Sequence, residues 1–205
     1  VGIAGNLVSR LGMGCVPFLM PLMLQVGLGF SALTAGMAMM PMAMGSITAK
    51  TFVMRILNRL GYRATLLTIT ISIGILIALF ALQSPSVPLP LLFLPLFLLG
   101  VAMSAQFTSM NSITLGDLTE KTASTGNSLL SITQQLSISF GVASSTAILR
   151  LYTQYIPGTL LDHFHYTFIT IGIITMMAAF VFIRLKPDDG SHLLSQRHAH
   201  DRSSS

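Results

Sequence analysis

Charge is what this sequence has least of. Of its 205 residues only 8% are Asp, Glu, Lys or Arg, while 52% are hydrophobic. A soluble domain carries about 25% charged residues. So few charges cannot cover a water-facing surface, so lipid must be most of the solvent. Acidic residues are absent from every long apolar run, since Asp117, Glu120 and Asp162 lie in connections between runs. No intramembrane carboxylate is therefore at hand to carry a proton. One cysteine, Cys15, excludes an intrachain disulfide and says little about redox compartment. HExxH, GxSxG and Walker motifs are missing, so intramembrane hydrolysis and ATP-driven pumping have no residues to stand on and no enzyme is expected. A cleavable signal peptide is also missing, because the first apolar run is too long and lacks a basic flank. The chain opens on Val1 inside hydrophobic sequence, which reads as a fragment of a longer protein.

Six apolar runs are present, at 2–27, 33–54, 64–83, 89–115, 126–149 and 164–184. About 20 apolar residues cross the hydrocarbon of a bilayer as a helix. Backbone amides in lipid must be bonded within their own segment, and the runs lack the alternation of barrel strands. The expected fold is an all-α polytopic membrane protein, a six-helix transmembrane bundle over 1–184 with a disordered tail over 185–205. Two triples of helices, 2–83 and 89–184, would form a 3+3 inverted repeat.

The net charge of +5 invites a nucleic-acid reading. Lys and Arg, however, cluster in short segments between apolar runs, the pattern of membrane topology, and no nucleic-acid partner is needed. Arg55, Arg59, Arg63, Lys121, Arg184, Lys186, Arg197 and Arg202 fall on one side, and Arg150 on the other. The first side is expected to be cytoplasmic, with the C-terminus inside. His192, His198 and His200 in the polar tail read as solvated, with no metal site expected.

On a helical wheel Asn6, Arg10, Gly14, Pro17, Pro21 and Gln25 share one face of the first helix, opposite Val8, Cys15, Leu19 and Val26. In lipid such a stripe turns toward protein or a water-filled cavity. Pro17 and Pro21 should bend the outer half of that helix, and Pro41 in "GMAMMPMAMG" should break the local ladder, making the three prolines gating candidates. The methionines of that run suit either helix packing or an adaptable wall. The fifth helix is the most polar. Asn127, Ser131, Gln134 and Ser145 form one stripe with Gln135 at its edge, and Ser137, Gly141 and Ser145 form a small-residue ladder for close packing. Gly100, Ser104, Phe107 and Asn111 line up on the fourth helix. Arg10 reads two ways, as a cavity residue or as an anchor snorkelling to the interface. The candidate path lining is Asn6, Arg10, Gln25, Asn111, Asn127 and Gln134.

"PFLMPLMLQVGLGFSALTAGMAMMPMAMGS" resembles the seventh and eighth core helices of major facilitator transporters of the fourteen-helix drug:H+ antiporter type. "RILNRLGYRATLL" is similar to the degenerate second copy of that family's loop signature, with Arg59, Gly61 and Arg63 matching and with Asn58 and Met54 replacing its acid and glycine. "TGNSLLSITQQLSISFGVA" resembles the eleventh core helix, with Gln134 where arginine is frequent. The resemblance spans the chain. It implies the C-terminal six-helix bundle of a proton-driven exporter of drugs or small metabolites in the bacterial inner membrane, working by alternating access. It further implies a missing N-terminal half that supplies the coupling carboxylate, a small-molecule substrate held between the halves, and no cofactor beyond the proton gradient. In the family the loop latches the two halves; without its acid, Arg59 and Arg63 read equally as topology anchors. A rival expectation is a non-transporting membrane scaffold derived from a half-transporter.

Overall fold

The computed structural model describes residues 2–85, 88–116 and 120–183, with side chains at 12–53, 57, 63–85, 88–112, 126, 128 and 131–179. No strand occurs among them. Helix α1 spans Gly2–Leu22 and runs directly into a five-residue π turn, Met23–Gly27. Pro17 and Pro21 explain the change of pitch. Neither can donate to the carbonyl four residues back, and a wider turn relieves the ring clash. The expected bend is thus a π turn just after the second proline. The chain then reverses through Gly29, whose φ of 73° only glycine adopts without strain.

Helix α2, Ala32–Ala38, begins at an N-cap in which the Ser31 hydroxyl accepts the Thr34 amide at 3.1 Å. A break at Met39 separates it from α3, Met40–Leu79, and Pro41 lies in the first turn of α3. The ladder interruption expected of Pro41 therefore falls two residues ahead of it.

Helical hydrogen bonding is continuous through α3, which if straight would extend about 60 Å. It cannot be straight. Met42 and Gly45 press on Gly100 and Phe97, while Ile75 and Leu76 share a groove with Leu98 and Val101. Residues 45 and 75 would otherwise stand about 45 Å apart. Ile69 also packs on a cluster of Ala49, Val53, Leu57 and Ala105. The run doubles back between Leu57 and Arg63, so that two arms lie side by side against helix α4, Phe93–Gly116. The connection expected at 55–63 keeps helical turns through that reversal.

Helices α5, Glu120–Tyr155, and α6, Leu160–Ile183, complete the chain. Thr159 and Asp162 cap α6 reciprocally. The Thr159 amide and hydroxyl donate to Asp162 Oδ2 at 2.8 and 2.7 Å, and the Asp162 amide donates to the Thr159 hydroxyl. Those bonds, the side-chain one foremost, hold the Asp162 carboxyl below its ordinary pKa. His163 donates from Nε2 to the Ile156 carbonyl, and His165 Nε2 lies 2.7 Å from the Gln83 carbonyl, tying the neighbouring connections to α6. Among the described residues three segments are long and apolar enough to cross a membrane: Ala32–Val53, Arg63–Leu82 and Leu89–Ser112. Gly12–Gly27 is a shorter apolar helix.

One core joins α1, α3, α4 and α6, built on Leu19, Met20, Ile73, Ile77, Leu96 and Phe168. Of the face opposite the polar stripe of the first helix, Cys15 and Leu19 are fully buried in this core, while Val26, in the π turn, is 56% exposed. Small residues set the spacing of the helices. A Cβ at Gly45 or Gly100 would collide with the carbonyl of Phe97 or Met42, and one at Gly14 would come within 2.7 Å of the Ile138 carbonyl. The Ser137–Gly141–Ser145 ladder is buried, and its hydroxyls are satisfied by Thr133 and Val142 of their own helix. Gly36, by contrast, has open space around it. Gly100→Val should therefore cost about 2 kcal/mol and lower Tm by about 6 °C in detergent-based thermal unfolding. Gly36→Val should move Tm far less.

Candidate functional site: a cleft between three helices

Among the described residues the packing leaves α4 and α5 apart. Helix α1 packs mainly on α5 and α6, the arms of α3 pack on α4 and α6, and α4 and α5 barely touch. Between them lies a cavity of about 340 Å³ lined by Met13, Gly14, Pro17 and Phe18 of α1, Met103 and Phe107 of α4, and Ile138 and Val142 of α5. Phe18 and Phe107 are 38% and 41% exposed, so part of each ring is open to the cavity. The two methionines add flexible thioethers that pack well against aromatic surfaces.

Polarity enters at one end. Gln134 Nε2 donates to Asn111 Oδ1 at 3.0 Å. Asn111 is one turn beyond Phe107 on α4, and Gln134 one turn before Ile138 on α5. This amide pair bridges two helices that otherwise diverge. Both residues are half-buried.

The candidates identified in the sequence divide as follows. Asn111 and Gln134 are brought together, and Gly14, Pro17 and Phe107 line the cavity. Gln25 is exposed in the π turn and is not among the residues lining this cavity. Pro21 is half-buried just before that turn, and Pro41 is half-buried at the start of α3. Gly100 faces Met42 rather than the cavity, and Ser145 packs in the buried ladder. Ser131 and Gln135 open on a separate shallow hollow with Ile132, Leu136 and Ser139. Arg63 begins the second arm of α3, half-buried. The side chains of Asn6, Arg10, Asn127, Arg59 and Gly61, and the whole tail 185–205, lie outside the described residues. Of the methionine run, Met37, Met40 and Met44 are exposed, while Met39 and Met42 pack on the core.

Met13, Phe18, Met103, Ile138 and Val142 escaped the sequence reading. Each is apolar in an apolar helix, and polar residues were the signal being followed. The helical offset of Met103 from Phe107, and of Ile138 from Gln134, could have found two of them.

Gln134→Leu should remove the bridge and leave the Asn111 carbonyl without it. A loss of about 1 kcal/mol, or about 3 °C in Tm, is expected by thermal unfolding in nanodiscs. The exposed neighbour change Gln135→Leu should leave Tm in place.

A family model described as Major Facilitator Superfamily matches residues 2–204. The chain is 40% identical over 192 residues to the "Putative multidrug resistance protein MdtD" of Pectobacterium atrosepticum, covering 92% of this chain and 41% of that protein. Proteins of the same name from Escherichia coli O1:K1 / APEC and Shigella boydii serotype 18 are 40% and 39% identical over 204 residues, covering 96% of this chain and 43% of each relative. The chain therefore spans about two fifths of the length of the curated relatives it matches.

Proposed function

The chain belongs to the Major Facilitator Superfamily, and from that premise we propose that it is the C-terminal six-helix half of a proton-driven secondary exporter of drugs or small metabolites. In this reading the two arms of α3 are separate spans, and with α1, α4, α5 and α6 they make six, arranged as a 3+3 inverted repeat. The C-terminus faces the cytoplasm of a bacterium whose inner membrane holds the protein.

The observation that carries the reading is the cleft between α1, α4 and α5. It combines an apolar, aromatic and thioether wall with a polar amide bridge at one end, the composition of a pocket that accepts varied small molecules. Exposed apolar side chains at the cleft, Phe18, Phe107 and Ile138, support a partner bundle closing over this side. That partner is the N-terminal half, which supplies the membrane carboxylate that this half lacks. Substrate binds between the halves near mid-membrane, and protonation changes which side the cleft opens to. Asn6, Arg10, Gln25 and Asn127 extend the polar lining along α1 and α5. Arg59, Gly61 and Arg63 hold the cytoplasmic turn between the arms of α3, and Pro17, Pro21 and Pro41 are the bending points of the cycle. The relatives' names speak of multidrug resistance, which favours drugs as the substrate class here.

The test is flux. Full-length protein in proteoliposomes should expel a lipophilic drug only under an imposed pH gradient, and collapse of the gradient with an ionophore should stop it. Arg10→Gln should abolish transport of an anionic substrate and spare a neutral one. Flux that ignores the gradient contradicts proton coupling, and absence of flux for every substrate favours the scaffold.

A further inference from the structure

Among the described residues, three of the buried polar atoms without a hydrogen-bonding partner lie on α3 and α4, outside the cleft lining. Gln106 on α4 is 1% exposed and Thr70 on the second arm of α3 is fully buried. Neither Gln106 Nε2, Gln106 Oε1 nor Thr70 Oγ1 has a partner within hydrogen-bonding reach. Leaving such groups unmet in an apolar interior is costly, and native proteins rarely do so.

Their placement is informative. Leu66 packs against Met110, and Ile69 packs against a cluster that contains Ala105. Those contacts fix an antiparallel register between the second arm and α4. One turn along from Leu66 is Thr70, and one turn back from Met110 is Gln106, so the register puts the two at the same level of that seam. Both lie on the core side of that seam, while Thr68, Ser72, Val101 and Ala105 line its outer groove. A buried hydroxyl and a buried amide, both unmet and at one level of a seam, are groups a bridging water can satisfy together.

We propose that Thr70 and Gln106 bind an internal water that joins the second arm of α3 to α4. The water accepts the Thr70 hydroxyl proton and donates to Gln106 Oε1, with the Gln106 amide N–H free to hold a second water. This is a polar joint within an otherwise apolar seam. Because Gln106 adjoins Phe107, it lies behind the wall of the cleft. The proposal stands on packing alone and does not depend on transport.

Millisecond X-ray radiolysis of the full-length protein in nanodiscs tests it, since bound water yields hydroxyl radicals where it sits. Met110 is 5% exposed and one turn from Gln106; Met20 is fully buried in a dry apolar cluster. Met110 should oxidise roughly fivefold faster than Met20 in the native protein. That excess should vanish in the Thr70→Val/Gln106→Met double variant. Equal rates at Met110 and Met20 in the native protein would overturn the site whether or not the variants fold. A thermal double-mutant cycle reads the same bridge independently. Each single change should lower Tm, and the double change should lower it by less than their sum, because the second removes a partner already lost. Strictly additive shifts, or single variants each more stable than native, would also overturn it.

Discussion

Helices in lipid gain nothing by hiding apolar surface from one another, because the surrounding acyl chains are just as apolar. What holds this chain together is close approach. Backbones meet where a glycine removes the side chain that would keep them apart: Gly45 and Gly100 at the seam of α3 and α4, Gly14 against Ile138 at the seam of α1 and α5. Serines serve the same end on α5, since Ser137 and Ser145 return their hydroxyls to their own helix and present a small, satisfied face. Ser46 goes further and donates both to Met42 and, across the seam, to the Gly100 carbonyl.

Tight seams on some sides force an opening on another. With α1 drawn onto α5 and α4 drawn onto α3, the chain cannot also close α4 onto α5. The cleft follows from where the small residues are, and Phe18, Phe107, Met13 and Met103 line its walls. The Asn111–Gln134 amide pair links α4 and α5 beside it. In the proposed exporter this is the place where a partner bundle and a substrate complete the packing.

Much of this was legible in the residues. Apolar run lengths gave the helical segments, and the spacing of Ser137, Gly141 and Ser145 gave a buried ladder; of the α1 stripe expected to face protein or a cavity, Gly14 and Pro17 line the cleft while Gln25 does not. Asn111 and Gln134 were each chosen for polarity in an apolar helix, and the structure pairs them. Two features were not legible. The reversal within α3 falls in the charged 55–63 connection between two apolar runs, but nothing in the residues showed that helical hydrogen bonds continue through it. The cleft walls are mostly apolar side chains whose sequence context equals that of core residues; Leu19 is buried while its neighbour Phe18 faces the cavity. Only the relative rotation of three helices separates the two cases, and a single helical wheel does not contain it.

The central claim is that the face carrying Phe107 opens to water and substrate, while the groove on the far side of α4 faces acyl chains. This chain contains no tryptophan, so one can be introduced as a reporter at Phe107 or at Leu98, which are 41% and 44% exposed. In full-length protein otherwise free of tryptophan and reconstituted in bilayers, fluorescence at 107 should be quenched by aqueous acrylamide and spared by brominated lipid, with the opposite pattern at 98. Quenching of the residue at 107 by brominated lipid alone would contradict the account.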